Sequence, residues 1–256
     1  MEAAQTATTG KRAWALLAAL VVPLLALPLL PPVAQDPHYH AFADGRTAWG
    51  IANFQNVASN VGFLLVGSVG LHFCVRRCRD LSWVVFFAAV VLVTFGSAYY
   101  HLLPGDDRLV WDRLPITVAL MALFTALMKE HLTVRREGWL LAVSIATGVA
   151  SIAWWRITGD LKLYVWVQAA PFLAIAVLLA LYRGRFTGRY WLAYGLLFYA
   201  LAKVVEFSDA RIYAMTSEAT SGHALKHLLA ALAPLCVYWM LKTRVPSERR
   251  TPAPAA

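Results

Sequence analysis

The chain has 256 residues, 60% of them hydrophobic and only 14% charged, with a formal net charge of +9. Apolar runs of about 20 residues recur along it, the length that a hydrocarbon layer roughly 30 Å thick demands, so the composition excludes a soluble globular protein. The positive charge does not mark a nucleic-acid binder either, because the basic residues are sorted by loop and not gathered into a patch.

Taken in order, a short polar start ends in Lys11-Arg12 and leads into an apolar segment, 13–30, punctuated by Pro23 and Pro28. A charged start and an apolar middle suit a signal peptide or a retained helix. Pro32-Val33-Ala34 is a poor small-residue cleavage site, so retention is the expectation. Residues 1–31 are thus read as a signal or anchor segment, and 32–52 as a polar connection on the outer side that carries His38, His40, Asp44 and Arg46. Seven spans follow, near 53–73, 82–101, 114–129, 139–156, 163–182, 190–207 and 222–241. The fold expected is all-α: a seven-transmembrane-helix bundle over 53–243 with an extra N-terminal apolar helix. The end, 244–256, is rich in Pro and Ala and is expected to be a disordered cytoplasmic tail.

The loops assign a topology. Lys11-Arg12, Arg76-Arg77-Arg79, Lys129 with Arg135-Arg136, Arg183-Arg185-Arg189, and Lys242-Arg244 with Arg249-Arg250 place fifteen of the 23 basic residues on one side. The opposite connections hold Arg46, Arg108, Arg113, Arg156, Lys162 and Arg211 and most of the acidic residues. Basic loops stay cytoplasmic, which predicts a cytoplasmic C-terminus. Cys74, Cys78 and Cys236 lie within or at the end of spans and are expected to be free thiols.

Chemistry concentrates in 97–117, SAYYHLLPGDDRLVWDRLPIT, at the predicted outer end of two spans. Ser97 and His101 are four apart and share a helical face. Pro104-Gly105 then breaks the helix, so that Asp112 returns toward the same point from the next one. The last span opens with Gly222-His223-Ala224-Leu225-Lys226-His227, and its two histidines, again four apart, suit one zinc ion. With His101 at the same depth, His223 and His227 complete a three-histidine zinc site that leaves a fourth position for water, with Ser97 and Asp112 beside it. Ionisable groups inside a membrane bundle are costly and rarely kept without a partner. His38, His40, His72 and His131 are read as ordinary interfacial or hydrogen-bonded residues. Lys203 and Glu206, three apart, are expected to pair; alternatively Glu206 or Asp209 accepts the second ring N–H of a zinc-bound histidine.

These residues also carry a resemblance. SxxxH, the Asp eleven residues on in WDRLPIT, the C-terminal GHxLKH and Asn56-Val57-Ala58-Ser59-Asn60 resemble motifs of the alkaline ceramidase family, a branch of the seven-helix membrane metallohydrolases. The likeness spans about residues 40–243. It implies a catalytic zinc on His101, His223 and His227, with Ser97 and Asp112 assisting the water and the substrate carbonyl. Animal members add a calcium-binding acidic segment; here the corresponding stretch offers Asp44 as its one carboxylate, with Asn53, so calcium dependence is not expected. The segment is closer to bacterial relatives, which implies the bacterial inner membrane with the site on the outer, periplasmic side.

The expected function is zinc-dependent hydrolysis of the amide of ceramide or a related long-chain N-acyl lipid. The partner expected is the membrane lipid itself, with no nucleic acid and no obligatory protein partner. The main alternative is a seven-helix receptor or scaffold with a structural zinc. A transporter is disfavoured, since no internal repeat or mid-membrane helix break is visible.

Overall fold

The computed structural model describes residues 2–132, 137–182 and 186–246, with side chains from Arg12 onward except that of Glu137. The arginines at 135, 136, 183, 185, 249 and 250, the Lys11 side chain and nearly all of the 244–256 tail lie outside the described residues. Among the described residues, eight helical stretches are long and apolar enough to cross a membrane, and none forms a strand beyond isolated bridges. The all-α membrane fold is therefore the one expected.

Helices start and stop where the sequence supplies a cap or a breaker. After α1 (Glu2–Ala26), the first core span is two pieces, α2 (Phe54–Ala58) and α3 (Val61–Phe73), where one continuous helix was expected. The interruption falls at Ser59-Asn60, and the Asn60 side chain donates to the Asn56 carbonyl at 2.8 Å. A π-turn, Cys74–Cys78, ends that span. Asp80 caps α4 (Leu81–Leu102) by accepting from the Ser82 N–H at 2.9 Å.

The next helix, α5 (Asp106–His131), begins eight residues before the expected 114. Asp106 and Asp107 fill the first turn, where the helix dipole favours acidic side chains. There follow α6 (Glu137–Thr158), α7 (Lys162–Leu181), α8 (Tyr190–Phe207), a short unanticipated α9 (Asp209–Met215), and α10 (Gly222–Thr243). Ser221 caps α10, its hydroxyl accepting from the Ala224 N–H at 3.1 Å.

The core spans close into a ring. α3 packs on α4, α4 on α5, α5 on α6 and α7, and α10 on both α8 and α3, while α7 and α8 touch only lightly. The main core runs through Trp83, Phe86, Phe87, Leu127 and Met240. α1 lies outside the ring along α7, burying Leu16 and Leu20, and the Trp166 indole donates to the Leu20 carbonyl at 3.2 Å. Lys162 fastens the end of this segment through the carbonyls of Leu27 and Leu30 at 3.1 and 2.7 Å.

Candidate metal centre

Two glycines let the helices that carry the histidines come close. On α4, a Cβ at Gly96 would lie 2.1 Å from the Trp111 carbonyl oxygen of α5, so only glycine allows the contact that brings Ser97 against Asp112. On α10, a Cβ at Gly222 would lie 2.1 Å from the Val205 carbonyl of α8, one residue before His223. Asp209 at the start of α9 then accepts from the His223 backbone N–H at 2.8 Å. Asn53 donates to the His101 carbonyl at 2.9 Å and so satisfies an otherwise open acceptor in the last turn of α4.

His101, His223 and His227 are all buried, and one ring nitrogen from each lies within 4.8 Å of the others. Their ring centroids are 4.9 to 5.0 Å apart. Tautomers follow from the neighbours. The Ser59 hydroxyl donates to the Asn56 carbonyl at 3.2 Å and lies 2.8 Å from His227 Nδ1, so Nδ1 is the protonated nitrogen and Nε2 keeps its lone pair.

The Lys226 ammonium donates to His223 Nε2 at 3.1 Å, which leaves that nitrogen unprotonated as well. His101 Nε2 approaches His223 Nε2 to 3.3 Å, while His101 Nδ1 is buried without a partner among the described residues. One imidazole lone pair does not accept two ordinary hydrogen bonds, so a cation between the two nitrogens suits this approach better than a proton. Two nitrogens bound tetrahedrally to zinc stand about 3.4 Å apart, close to the spacing seen. The donor set of neutral imidazoles therefore fits zinc.

Charged groups surround the cluster. Ser97 is buried and Asp112 half-buried, and the serine side chain and the charges of Lys226 and Arg113 act on that carboxylate. Glu206 takes Lys203 at 2.6 Å and Lys226 at 2.8 Å, so it pairs as expected and reaches the histidines only through Lys226. The carboxylate of Asp209 serves backbone N–H groups, those of His223 and of Ala43 at 2.9 Å, not an imidazole ring.

The 32–52 connection crosses above the site. Val33 bonds to Asp160 and Leu161 at the α6–α7 turn. Gln35 accepts from Arg113 at 2.7 Å, and His40 bridges the Tyr100 hydroxyl at 2.9 Å and Asp106 at 3.2 Å. Phe42 then lies over the histidines, its ring centroid 4.7 Å from that of His101 and 4.4 Å from that of His223. Asp44 is buried and holds Arg46 through both carboxylate oxygens at 2.8 Å, an arrangement that keeps its carboxyl below the usual range. His38 pairs with Asp36, and His131 Nδ1 lies 3.0 Å from the Leu127 carbonyl of its own helix.

The sequence pattern of the ceramidase family matches residues 46–190, more than half of the chain. The chain belongs to the ceramidase family. No curated protein matched it. Within the family match lie Ser59, Ser97, His101 and Asp112; His223, Lys226 and His227 follow it in sequence and join it in space. Sequence reading missed three neighbours of the histidine cluster. Ser59 was visible only as part of a motif, Lys226 only as a letter in GHALKH, and Phe42 gave no signal, because its contact with the histidines exists only after the connection folds back.

Proposed function

We propose that this ceramidase-family protein is a zinc-dependent membrane amidohydrolase that cleaves ceramide or a related long-chain N-acyl lipid. The convergence of three buried imidazoles at one point, in a chain of this family, carries the reading. His101, His223 and His227 hold the metal. When bound, zinc supplies a Lewis acid that lowers the pKa of a water toward about 7 and polarises a carbonyl. Asp112 accepts the proton of the attacking water on a carboxylate oxygen and returns it to the departing amine nitrogen. The Ser97 hydroxyl, held beside that carboxylate, supports the negative charge that gathers on the amide oxygen. Phe42 keeps bulk water off the histidines from above. The basic loops set the C-terminus in the cytoplasm and the site on the outer side.

The test is zinc content by elemental analysis of the detergent-purified protein, paired with fatty-acid release from ceramide, for the wild type and for His223→Ala. One zinc per chain with release, both lost in the variant, is the expected outcome. Zinc without release from any N-acyl lipid would move the protein to the structural-metal receptor class, and no zinc at all would sink the three-histidine site.

A further inference from the structure

Lys226 is the charged group nearest the histidine cluster, and nothing in the reading above uses it. It follows His223 by three residues on α10 and shares its face, so its position is fixed by the helix that carries two of the three ligands. Its ammonium has three N–H donors. One goes to Glu206 Oε1 at 2.8 Å and one to His223 Nε2 at 3.1 Å; a third has no acceptor among the described residues. Glu206 is itself held by Lys203 at 2.6 Å, so the row Lys203–Glu206–Lys226 carries one net positive charge and ends at the ligand nitrogens. The side chain of Lys226 is 19% exposed, which makes its direction a product of the Glu206 pairing and not of solvation.

Once His223 Nε2 gives its lone pair to a metal, Lys226 loses that acceptor. Glu206 still holds the ammonium in place, now with two donors open beside the cluster. An ammonium in that position, held by Glu206 and facing the charge of Asp112 with donors still open, favours an oxygen on which negative charge develops. We propose that Lys226 is a further catalytic residue: its ammonium, braced by Glu206, donates hydrogen bonds to the substrate's amide oxygen as charge builds there.

The assignment rests on the amide-hydrolase reading. In the step it serves, the water oxygen bonds to the carbonyl carbon, the C–N bond breaks, and the water proton travels by Asp112 to the nitrogen. Lys226 keeps its own proton throughout and contributes charge only.

The experiment compares zinc-loaded wild type with Lys226→Met, Lys226→Arg and Glu206→Gln, using N-palmitoylsphingosine in mixed micelles as substrate and chelator competition for zinc affinity. Expected for Lys226→Met is one zinc per chain, a kcat lower by about 100-fold and a KM little changed. Its zinc affinity should rise by about tenfold, because a cation beside the dication has gone. Lys226→Arg should recover part of the lost kcat, and Glu206→Gln should lose about tenfold with zinc retained, because the ammonium is no longer aimed. An unchanged kcat in Lys226→Met overturns the assignment. Weaker zinc binding in that variant also overturns it, since the lysine would then merely support the histidines. Wild type without zinc or without fatty-acid release removes the hydrolase reading and this assignment together, whereas an active wild type with an equally active Lys226→Met removes the assignment alone.

Discussion

At one end of the helix ring, three histidines, Ser97, Asp112, Glu206 and Lys226 are sunk among the helices, with Glu206 and Lys226 paired and His101 Nδ1 left without a partner among the described residues. At the other end, Arg76, Arg77 and Arg79 stand exposed around a π-turn. Nearby, Lys129 meets Asp80 at 2.7 Å and Arg244 meets Glu130 at 2.5 Å across helix ends. The contrast separates two uses of charge in a membrane protein. Charges at the arginine end stay exposed, as the basic loops of the proposed topology would. At the histidine end they are withdrawn among the helices, and a network of opposite charges, Lys203 and Lys226 against Glu206 and Asp112, accounts for their tolerance. Substitutions should therefore abolish chemistry at one end and do little at the other.

The largest effect expected is that of Asp112→Asn. With the proton carrier gone and the histidines untouched, fatty-acid release should fall by about 10² to 10⁴-fold while elemental analysis still finds zinc. Retained activity would remove Asp112 from the mechanism. Next come the close helix contacts. Gly96→Ala drives a methyl against the Trp111 carbonyl and should destabilise by about 1–3 kcal/mol, read as a lower thermal midpoint in detergent, with Ser97 and Asp112 pushed apart. Gly222→Ala should behave alike, since its Cβ meets the Val205 carbonyl.

A smaller effect concerns pH. The hydrogen bonds from Arg46 hold the Asp44 carboxyl below its ordinary value of 3.8, so their stabilisation is complete above the unfolded carboxylate range and is lost as pH falls through the lower folded value. Asp44→Asn should therefore lower the thermal midpoint at neutral pH and leave a flatter melting profile below about pH 4. Smallest of all is Arg76→Gln, expected to alter stability by less than about 0.5 kcal/mol and to leave zinc content unchanged. A large effect there would erase the distinction between the two ends.

How far the sequence reached can be judged residue by residue. His101, His223 and His227 were legible because i,i+4 spacing and a position at the end of a span are local properties, fixed before any tertiary contact. The spans were legible from apolar length, but their ends were less so: α5 starts at Asp106 because two aspartates stabilise a turn that hydropathy scores as loop. The break at Ser59-Asn60 was not legible in its motif, since side-chain bonds of Asn56 and Asn60 and a histidine of another helix shape it. Glu206 with Lys203 was anticipated, yet its second partner Lys226 comes from another helix. Asp209 was an alternative, with Glu206, for holding a ring N–H and serves two backbone N–H groups, a distinction of a few ångströms that spacing does not encode.

The strap from Val33 to Ala43 is tied to α4, α5, α9 and the α6–α7 turn, and Phe42 lies over His101 and His223. Its consequence is kinetic. An ion seated on the histidines exchanges no faster than the strap lifts, so a water-soluble chelator should strip it over a time set by strap opening and independent of chelator concentration at saturation. Phe42→Ala should shorten that time, leaving the equilibrium affinity much less altered than the exchange rate.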